Sequence, residues 1–490
     1  MSAVQAAVGR EGKSRGSVLA DLRNLWAIDE RESSVRFAQS PLGKLVLVAL
    51  FAAIAKGISA GFMVVLAAAA CAYLPRYRSW VVVVASLGIL VRHPYYGLEE
   101  IGTILAQEGL SDAMAPRLAI GALVLFFGCA WGAFALARRH RDLLFVRRPV
   151  VALLLLETAI CMLACSPLVH GAARAALWAI LSVLTAYTWF LAYGLADQRS
   201  RSRGPLSFQM GILHPLWGST TAPFGKGAAF LRKHEAKTPE ELAITQIKGL
   251  KLMGWAAVLW MLENALSWVC ERQLHIPLTE SAVSAFLRGD PYQIAVSWGS
   301  LIWATLHGAI ALAVFGHQIV AIARLAGYRL PRNTWRPLES RTLAEFWNRY
   351  YYYFKELLVE LFFLPTFLKV FRNHPRLRVF VATFMAAGVG NAIFHFIRDI
   401  KFVVSMGLQG ALESFTSYLF YCSILAFAIG ISQARMNAGR KLSTSFVGKL
   451  WSALCVWSVV VCIHIFGDES RSVALVDRLR FMFSLFGINV

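Results

Sequence analysis

The sequence predicts an all-α, polytopic integral membrane protein, and three observations carry that prediction. Of the 490 residues, 57% are hydrophobic and only 16% are charged, against about a quarter charged in an ordinary soluble domain. The mean hydropathy is +0.56. Runs such as Leu45–Ala55 and Val150–Leu156 are apolar on every side, whereas transmembrane strands would alternate. These features argue against a soluble protein and against a β-barrel.

The apolar runs predict about eleven transmembrane helices, since one span needs about 20 mostly apolar residues. The runs cover residues 43–74, 79–92, 117–137, 149–166, 173–195, 249–270, 294–323, 350–371, 377–397, 411–432 and 448–466. Residues 41–490 are therefore predicted to form a single multi-span domain. Residues 1–40 are polar and lack a secretory signal, so we expect a cytosolic tail.

The charge distribution predicts the orientation in the membrane. The net charge of +21 would suggest a nucleic-acid partner in a soluble chain, but here we expect none, because loop charges facing an anionic leaflet explain the excess. The loop Arg324–Arg349 holds six arginines and is predicted to be cytoplasmic. The nearly neutral segment Glu271–Tyr292 should lie on the opposite side. This pattern is typical of a bacterial inner membrane protein.

Several common motifs are absent from the sequence. It contains no P-loop, no HExxH and no CxxC pair among its eight cysteines, which argues against an ATP-driven pump or a soluble-type metalloenzyme, and no metal site is expected. The longest polar stretch, Asp197–Ala243, is interrupted by the apolar piece Phe208–Trp217. Its glycines and prolines predict a re-entrant or interfacial segment.

The most informative stretch is Gly327–Pro365. Pro331 and Pro337 restrict the residues before them to extended conformations, which predicts a loop. Ser340 has the chemistry of an N-cap for the helix that contains Glu345. A tight loop, an amphipathic helix and a membrane helix are therefore predicted in that order.

This stretch resembles the membrane-bound O-acyltransferase family, especially its bacterial branch that acetylates or alanylates cell-surface polymers. The family run is a Gly-aromatic-x-x-Pro-x-Asn loop, a proline, Ala-Glu-Phe-Trp-x-Arg-Trp-His and, further on, an apolar residue followed by proline. The residues at those places, without a gap, are Gly327-Tyr328, Leu330-Pro331, Asn333, Pro337, Ala344–Arg349 and Leu364-Pro365. The resemblance implies the family's fold.

The family's second mark is a histidine in an apolar helix, and His395 stands at the corresponding distance. The resemblance implies that His395 is the catalytic general base. The residues implied to bind substrate or oxyanion are Trp347, Asn348, Arg349, Tyr351 and Asn391.

The sequence departs from the family run at two places. Tyr351 stands where relatives carry His, Asn or Asp, and a phenol is a poor base at neutral pH, so the role of base passes to His395 alone. Phe396 replaces the glycine that follows the histidine, and a bulkier residue would narrow or reshape the pocket.

Physical reasoning about His395 leads in the same direction. An ionisable residue in an apolar helix marks function unless a polar partner satisfies it. Asn391 and Asp399 lie one turn before and one turn after His395, so either is placed to orient the imidazole or bind substrate. The alternative is a packed histidine satisfied by a backbone carbonyl. His307 is a further candidate for a direct role at the site, and His317 lies on the same predicted span.

The predicted function is O-acyl transfer within the membrane. An acetyl or other short acyl group would pass from a cytoplasmic acyl-CoA or acyl-carrier-protein thioester to a hydroxyl of a glycan, lipid or metabolite. The resemblance implies no tightly bound cofactor, and relatives often work with a separate extracytoplasmic partner protein. Two alternatives stay open: a transporter or flippase of a lipid-linked glycan with His395, Asp399 and Arg398 as proton relay, and an inactive family member that serves as an assembly partner.

Overall fold

The computed structural model describes residues 27–57, 61–92, 97–218, 222–439, 442–467 and 471–488. Within these ranges the regular structure is helical, and the one β-pairing is an isolated bridge between Glu235 and Tyr328. The predicted all-α class is therefore confirmed. Most of the predicted cytosolic tail, residues 1–26, lies outside the described residues.

The first half of the chain forms twelve α-helices among the described residues. Their bounds are α1 Glu32–Gln39, α2 Pro41–Gly57, α3 Phe62–Tyr73, α4 Arg78–Arg92, α5 Leu98–Gln107, α6 Ala115–Arg139, α7 Leu144–Arg147, α8 Pro149–Cys165, α9 Gly171–Asp197, α10 Leu206–Gly211, α11 Ala228–Lys233 and α12 Pro239–Ser267. The apolar piece predicted as re-entrant or interfacial begins in α10 and continues as a buried turn around Leu216 and Trp217.

The second half contains eleven more α-helices in the part that the structure describes. Their bounds are α13 Thr279–Leu287, α14 Ile294–Leu325, α15 Leu343–Tyr350, α16 Tyr352–Leu358, α17 Leu364–Phe367, α18 Pro375–Phe384, α19 Asn391–Arg398, α20 Lys401–Ser414, α21 Thr416–Asn437, α22 Phe446–His464 and α23 Leu475–Ser484.

Seven helical segments of the described chain are long and apolar enough to cross a bilayer. They are Asp112–Arg139, Gly171–Asp197, Pro239–Gln273, Ile294–Leu325, Pro375–Arg398, Lys401–Asn437 and Phe446–His464. Such segments are those of an integral membrane protein. Each overlaps one of the predicted spans, but the predicted count of about eleven is not confirmed.

The predicted spans that lack a single long helix are short or broken. Residues 43–74 divide into α2 and α3, and residues 79–92 and 149–166 form helices of 15 and 17 residues. In the predicted span 350–371, Tyr351 is not helical, and the helical run from α16 through the π-helical turn Val359–Phe363 to α17 covers only residues 352–367. Local hydropathy does not register such breaks, because each piece remains apolar on its own.

Two π-helical turns pack against each other in the second half of the chain. One is Val359–Phe363, and the other, Met385–Gly390, precedes α19. A Cβ atom on Gly390 would lie 2.7 Å from the ring of Phe362, so a side chain at residue 390 would not fit. A π-turn inserts one extra residue per turn and often marks a functional position.

Two large apolar cores lie on either side of the segment that contains α15 and α16. One core packs α6, α8 and α9 against Phe354, and the other packs α3, α12 and α14 against Tyr353. Tyr351 packs against both cores. The chain between α15 and α16 therefore lies at the junction of the two.

Candidate functional site

Helices α15 and α16 meet at an elbow, which we define as residues 350–352. Tyr351 leaves helical geometry there with φ −140° and ψ 83°. At its other end α15 begins at the N-cap Thr342, whose hydroxyl accepts the Glu345 N–H at 3.0 Å. The Glu345 carboxylate in turn accepts the N–H of Arg341, the residue before the cap, at 2.8 Å. The predicted N-cap, Ser340, is wrong: Ser340 ends a preceding 3₁₀ turn, because the helix starts two residues later.

The motif loop, residues 327–337, is hydrogen-bonded to backbone groups of the elbow. The Asn333 carbonyl accepts the Tyr352 N–H at 2.9 Å, and the Thr334 hydroxyl donates to the Tyr350 carbonyl at 2.9 Å. These bonds satisfy groups that the break between two helices leaves unpaired. Asn333 also packs on Gly316, inside α14. The loop therefore folds back against the membrane helix instead of extending away from it.

His395 lies within α19, directly after the π-turn. Its Nδ1 is buried and has no hydrogen-bond partner among the described residues, and the same is true of the Asn391 side-chain oxygen. The Tyr418 ring is 4.5 Å from the His395 ring, centroid to centroid. A buried polar atom without a partner is costly, and one explanation is a role in binding a substrate. In the alternative interpretation, a backbone carbonyl would accept a hydrogen bond from a packed histidine. No such hydrogen bond is found at Nδ1.

An aromatic cluster connects His395 to the elbow, and Phe354 is its centre. The Phe354 ring lies 5.8 Å from His395, 5.5 Å from Tyr351 and 5.9 Å from Trp347, centroid to centroid. Phe394 adds a contact of 4.5 Å. The structure thus brings together three of the predicted site residues, Trp347, Tyr351 and His395, around a phenylalanine that the sequence reasoning did not single out.

Asp399 was predicted to orient the imidazole or bind substrate, and the structure places it among guanidinium groups. It accepts hydrogen bonds from Arg398 at 2.7 Å and from Arg471 at 2.7 Å. Arg471 is buried and also donates to the His395 backbone carbonyl at 3.4 Å. No local pattern identified Arg471, which lies 72 residues away from Asp399 in the chain.

The other predicted residues lie outside the aromatic cluster in the described chain. Asn348 is exposed on α15. Arg349 pairs with Glu345 at 2.5 Å and stacks on Trp335 at 5.1 Å. His307 pairs with Glu263 of α12 at 3.2 Å.

A partly buried cluster of one lysine and two glutamates lies beside the elbow and was missed. Lys226 contacts Glu356 at 2.7 Å and Glu360 at 2.5 Å. Burial disfavours the charged lysine, but the two carboxylates outweigh it, and the pKa of Lys226 is raised above its usual value. The i, i+4 spacing of the two glutamates, one on α16 and one in the π-turn that continues it, was the available signal in the sequence. This cluster ties the loop around residue 226 to the helix that presents Phe354.

Among the described residues, no group of three or more His, Cys, Asp or Glu side chains is placed to hold a metal ion. No protein-family model matches the sequence, and a comparison with curated proteins found no significant match.

Proposed function

We propose that the protein is a membrane-embedded O-acyltransferase with a membrane-bound O-acyltransferase fold. Its donor would be an acyl-CoA or acyl-carrier-protein thioester, and its acceptor a hydroxyl of a glycan, lipid or metabolite. The proposal places it in a bacterial inner membrane, with about eleven spans, counting the short and broken helices, and with an extracytoplasmic partner protein.

One observation carries the proposal. The His395 ring lies against Phe354, two residues after the elbow, and its Nδ1 atom is buried and has no hydrogen-bond partner among the described residues. A general base must be within hydrogen-bond reach of the proton that it removes, so a free ring nitrogen is required for this chemistry. The elbow, which is distant from His395 in sequence, is connected to it through Phe354, and the motif loop is hydrogen-bonded to the elbow.

The proposed reaction proceeds in two proton transfers. His395 takes the proton of the acceptor hydroxyl while the oxygen attacks the thioester carbonyl carbon, and a tetrahedral oxyanion forms. The carbon–sulfur bond then breaks, the imidazolium returns the proton to the leaving thiolate, and an ester and a free thiol result. The Asn391 amide is one turn from His395 and is the proposed donor to the oxyanion.

Tyr351 and Trp347 are proposed to bind substrate because both border Phe354, next to His395. Asn348, exposed on α15, is proposed to meet the donor as it arrives from the arginine-rich face, with Arg349 beside it. A proton relay through Asp399, as a transporter would need, has less support, because Arg398 and Arg471 hold that carboxylate from both sides.

Mass analysis of cells with and without the gene tests the proposal. Surface glycans, lipids and secreted metabolites are compared, and wild-type cells should contain an acylated species that the deletion lacks. The missing mass identifies the acyl group and its acceptor together. Complementation with His395→Ala should fail, while complementation with His140→Ala, a change at an exposed histidine, should succeed. Identical acylation in all four strains contradicts the proposal.

A further inference from the structure

A groove with a volume of about 370 Å³ lies between the end of α21 and the start of α22, next to the first turn of α15. One face of α21 and one face of α22 line the groove, and on each face the residues have the i, i+3, i+4, i+7 spacing of a continuous stripe. The two stripes are Ala428, Ile431, Ser432 and Arg435 on α21, and Ser452, Cys455, Val456 and Val459 on α22.

The groove is polar at one end and apolar at the other. Helix α21 ends at Asn437 and α22 begins at Phe446, so the pair forms a hairpin of antiparallel helices. Arg435 and Ser452 therefore share the end near the connection, while Ala428 and Val459 share the deeper end. Seven residues of helix correspond to roughly 10 Å of depth.

A second arginine reaches the polar end of the groove. Arg341 precedes α15, lines the groove and donates from Nη1 to the Ser443 carbonyl at 3.3 Å. The two nearest acidic residues along the chain form ion pairs with other arginines: Glu339 with Arg336 and Arg349, and Glu345 with Arg349. Arg435 has no ion-pair partner among the residues that the structure describes, so the positive charge at this end is not balanced there.

The apolar end opens toward the lipid phase. Helix α22 is the least buried of the seven long apolar helices, with 11% of its most apolar window covered by the rest of the protein. Ile431, on the wall of the groove, is 50% exposed, and Trp451, beside Ser452 at the polar end, is 67% exposed. In a bilayer such side chains contact lipid, and a tryptophan of this kind marks the headgroup level.

We propose that this groove binds one anionic glycerophospholipid. Its phosphate would lie between the guanidinium groups of Arg341 and Arg435, and one acyl chain would follow Ile431 and Val459 into the bilayer. Guanidinium groups bind phosphate oxygens through paired hydrogen bonds, and basic pockets between membrane helices select anionic lipids. The lipid would join the loosely packed α22 to α21 and to α15, the helix that leads to the elbow.

The test measures lipid binding to the full-length purified protein by native mass spectrometry. Phosphatidylglycerol and phosphatidylcholine with identical acyl chains are offered at equal concentrations. We expect wild-type protein to retain one phosphatidylglycerol preferentially, and Arg341→Gln and Arg435→Gln each to weaken that binding by about tenfold, as the loss of one charged hydrogen bond predicts. Arg141→Gln, a change at an exposed arginine of another basic loop, is the matched control and should have no effect.

A second kind of variant distinguishes the binding of a whole lipid in the groove from a simple attraction between the arginines and an anionic headgroup. Ala428→Phe fills the deep end without changing any charge and should also reduce phosphatidylglycerol binding. Equal retention of the two lipids by wild-type protein overturns the proposal. It is also overturned if Ala428→Phe binds normally, or if inorganic phosphate at the same concentration displaces the lipid completely, because the site would then recognise an anion and not a phospholipid.

Discussion

Gly316 of α14 lies directly against Asn333 of the motif loop. A Cβ atom on residue 316 would stand 2.7 Å from Nδ2 and 2.8 Å from Cβ of Asn333. The carbonyl of Asn333 also accepts the N–H of Tyr352, the first residue of α16. The close approach of Gly316 therefore fixes the position of the loop relative to the elbow.

Gly316→Ala is therefore expected to displace the motif loop. Overpacking a tight contact typically costs about 1–3 kcal/mol, which should exceed the gain of up to about 1 kcal/mol that alanine brings to a helix interior. Gly308→Ala is the matched control on the same helix, since a Cβ there meets nothing within 4 Å. Thermal unfolding should show Gly316→Ala below and Gly308→Ala at or above the wild type. The reverse order would mean that the loop does not pack on Gly316.

His395→Ala is expected to abolish acyl transfer while the protein remains folded and inserted. Removal of a general base typically costs about 10²–10⁴-fold in rate, and a histidine that makes no side-chain hydrogen bond at Nδ1 contributes little there to stability. Turnover of acyl-CoA by purified protein is the measurement, with His140→Ala as the control. Normal turnover by a well-folded His395→Ala protein would end the assignment.

Tyr351 is expected to tune the reaction without performing it, because a phenol positions a substrate but hardly removes a proton near neutral pH. Tyr351→Phe should retain measurable turnover, and Tyr351→His should retain it or raise it. The Michaelis constant and the turnover number are measured separately, since a positioning role changes mainly the former. If Tyr351→Phe is as inactive as His395→Ala, the two roles have been assigned wrongly.

The arginine-rich loop is expected to face the cytoplasm. The test places single cysteines in a protein without its eight native ones, at Leu338 and at Ser281, both of which are exposed. These positions lie beyond opposite ends of α14, which with 32 residues is long enough to span the bilayer. An impermeant reagent added outside intact cells should label residue 281 and leave residue 338 unlabelled. The opposite result inverts the orientation and removes the route for a cytoplasmic donor.

Glu108 is expected to make stability depend on pH. It accepts the Gly171 N–H at the start of α9 at 2.6 Å and pairs with Arg174 at 2.9 Å, and these contacts hold its pKa below the usual value. Its contribution is complete above the unfolded value of about 4.3 and disappears as the pH falls through the lower folded value.

Unfolding temperatures of the wild type and of Glu108→Gln, measured from neutral to acid pH, check this dependence. The difference between the two proteins should be present at neutral pH and shrink with acid. Glu99→Gln, at an exposed carboxylate on α5, should follow the wild type. A difference that stays constant with pH would assign the effect to shape and not to charge.

The membrane class and the positions of the long helices follow from the sequence because hydropathy is a local property. A run such as residues 294–323 stays apolar whatever packs around it, and α14 is found there. His395 is predicted to be a site residue for a similar reason, since an ionisable residue within an apolar run is visible without knowledge of its neighbours.

The contacts that make a site depend on segments far apart in the chain, and only the folded structure brings them together. Phe354 has no distinguishing mark in a run of aromatic residues, yet it touches Trp347, Tyr351 and His395. Arg471 meets Asp399 across 72 residues. Gly390, at the end of the π-turn before α19, packs against Phe362 of the other π-turn. Hydropathy and helical spacing describe one segment at a time, whereas these relationships arise from the free energy of packing several segments at once.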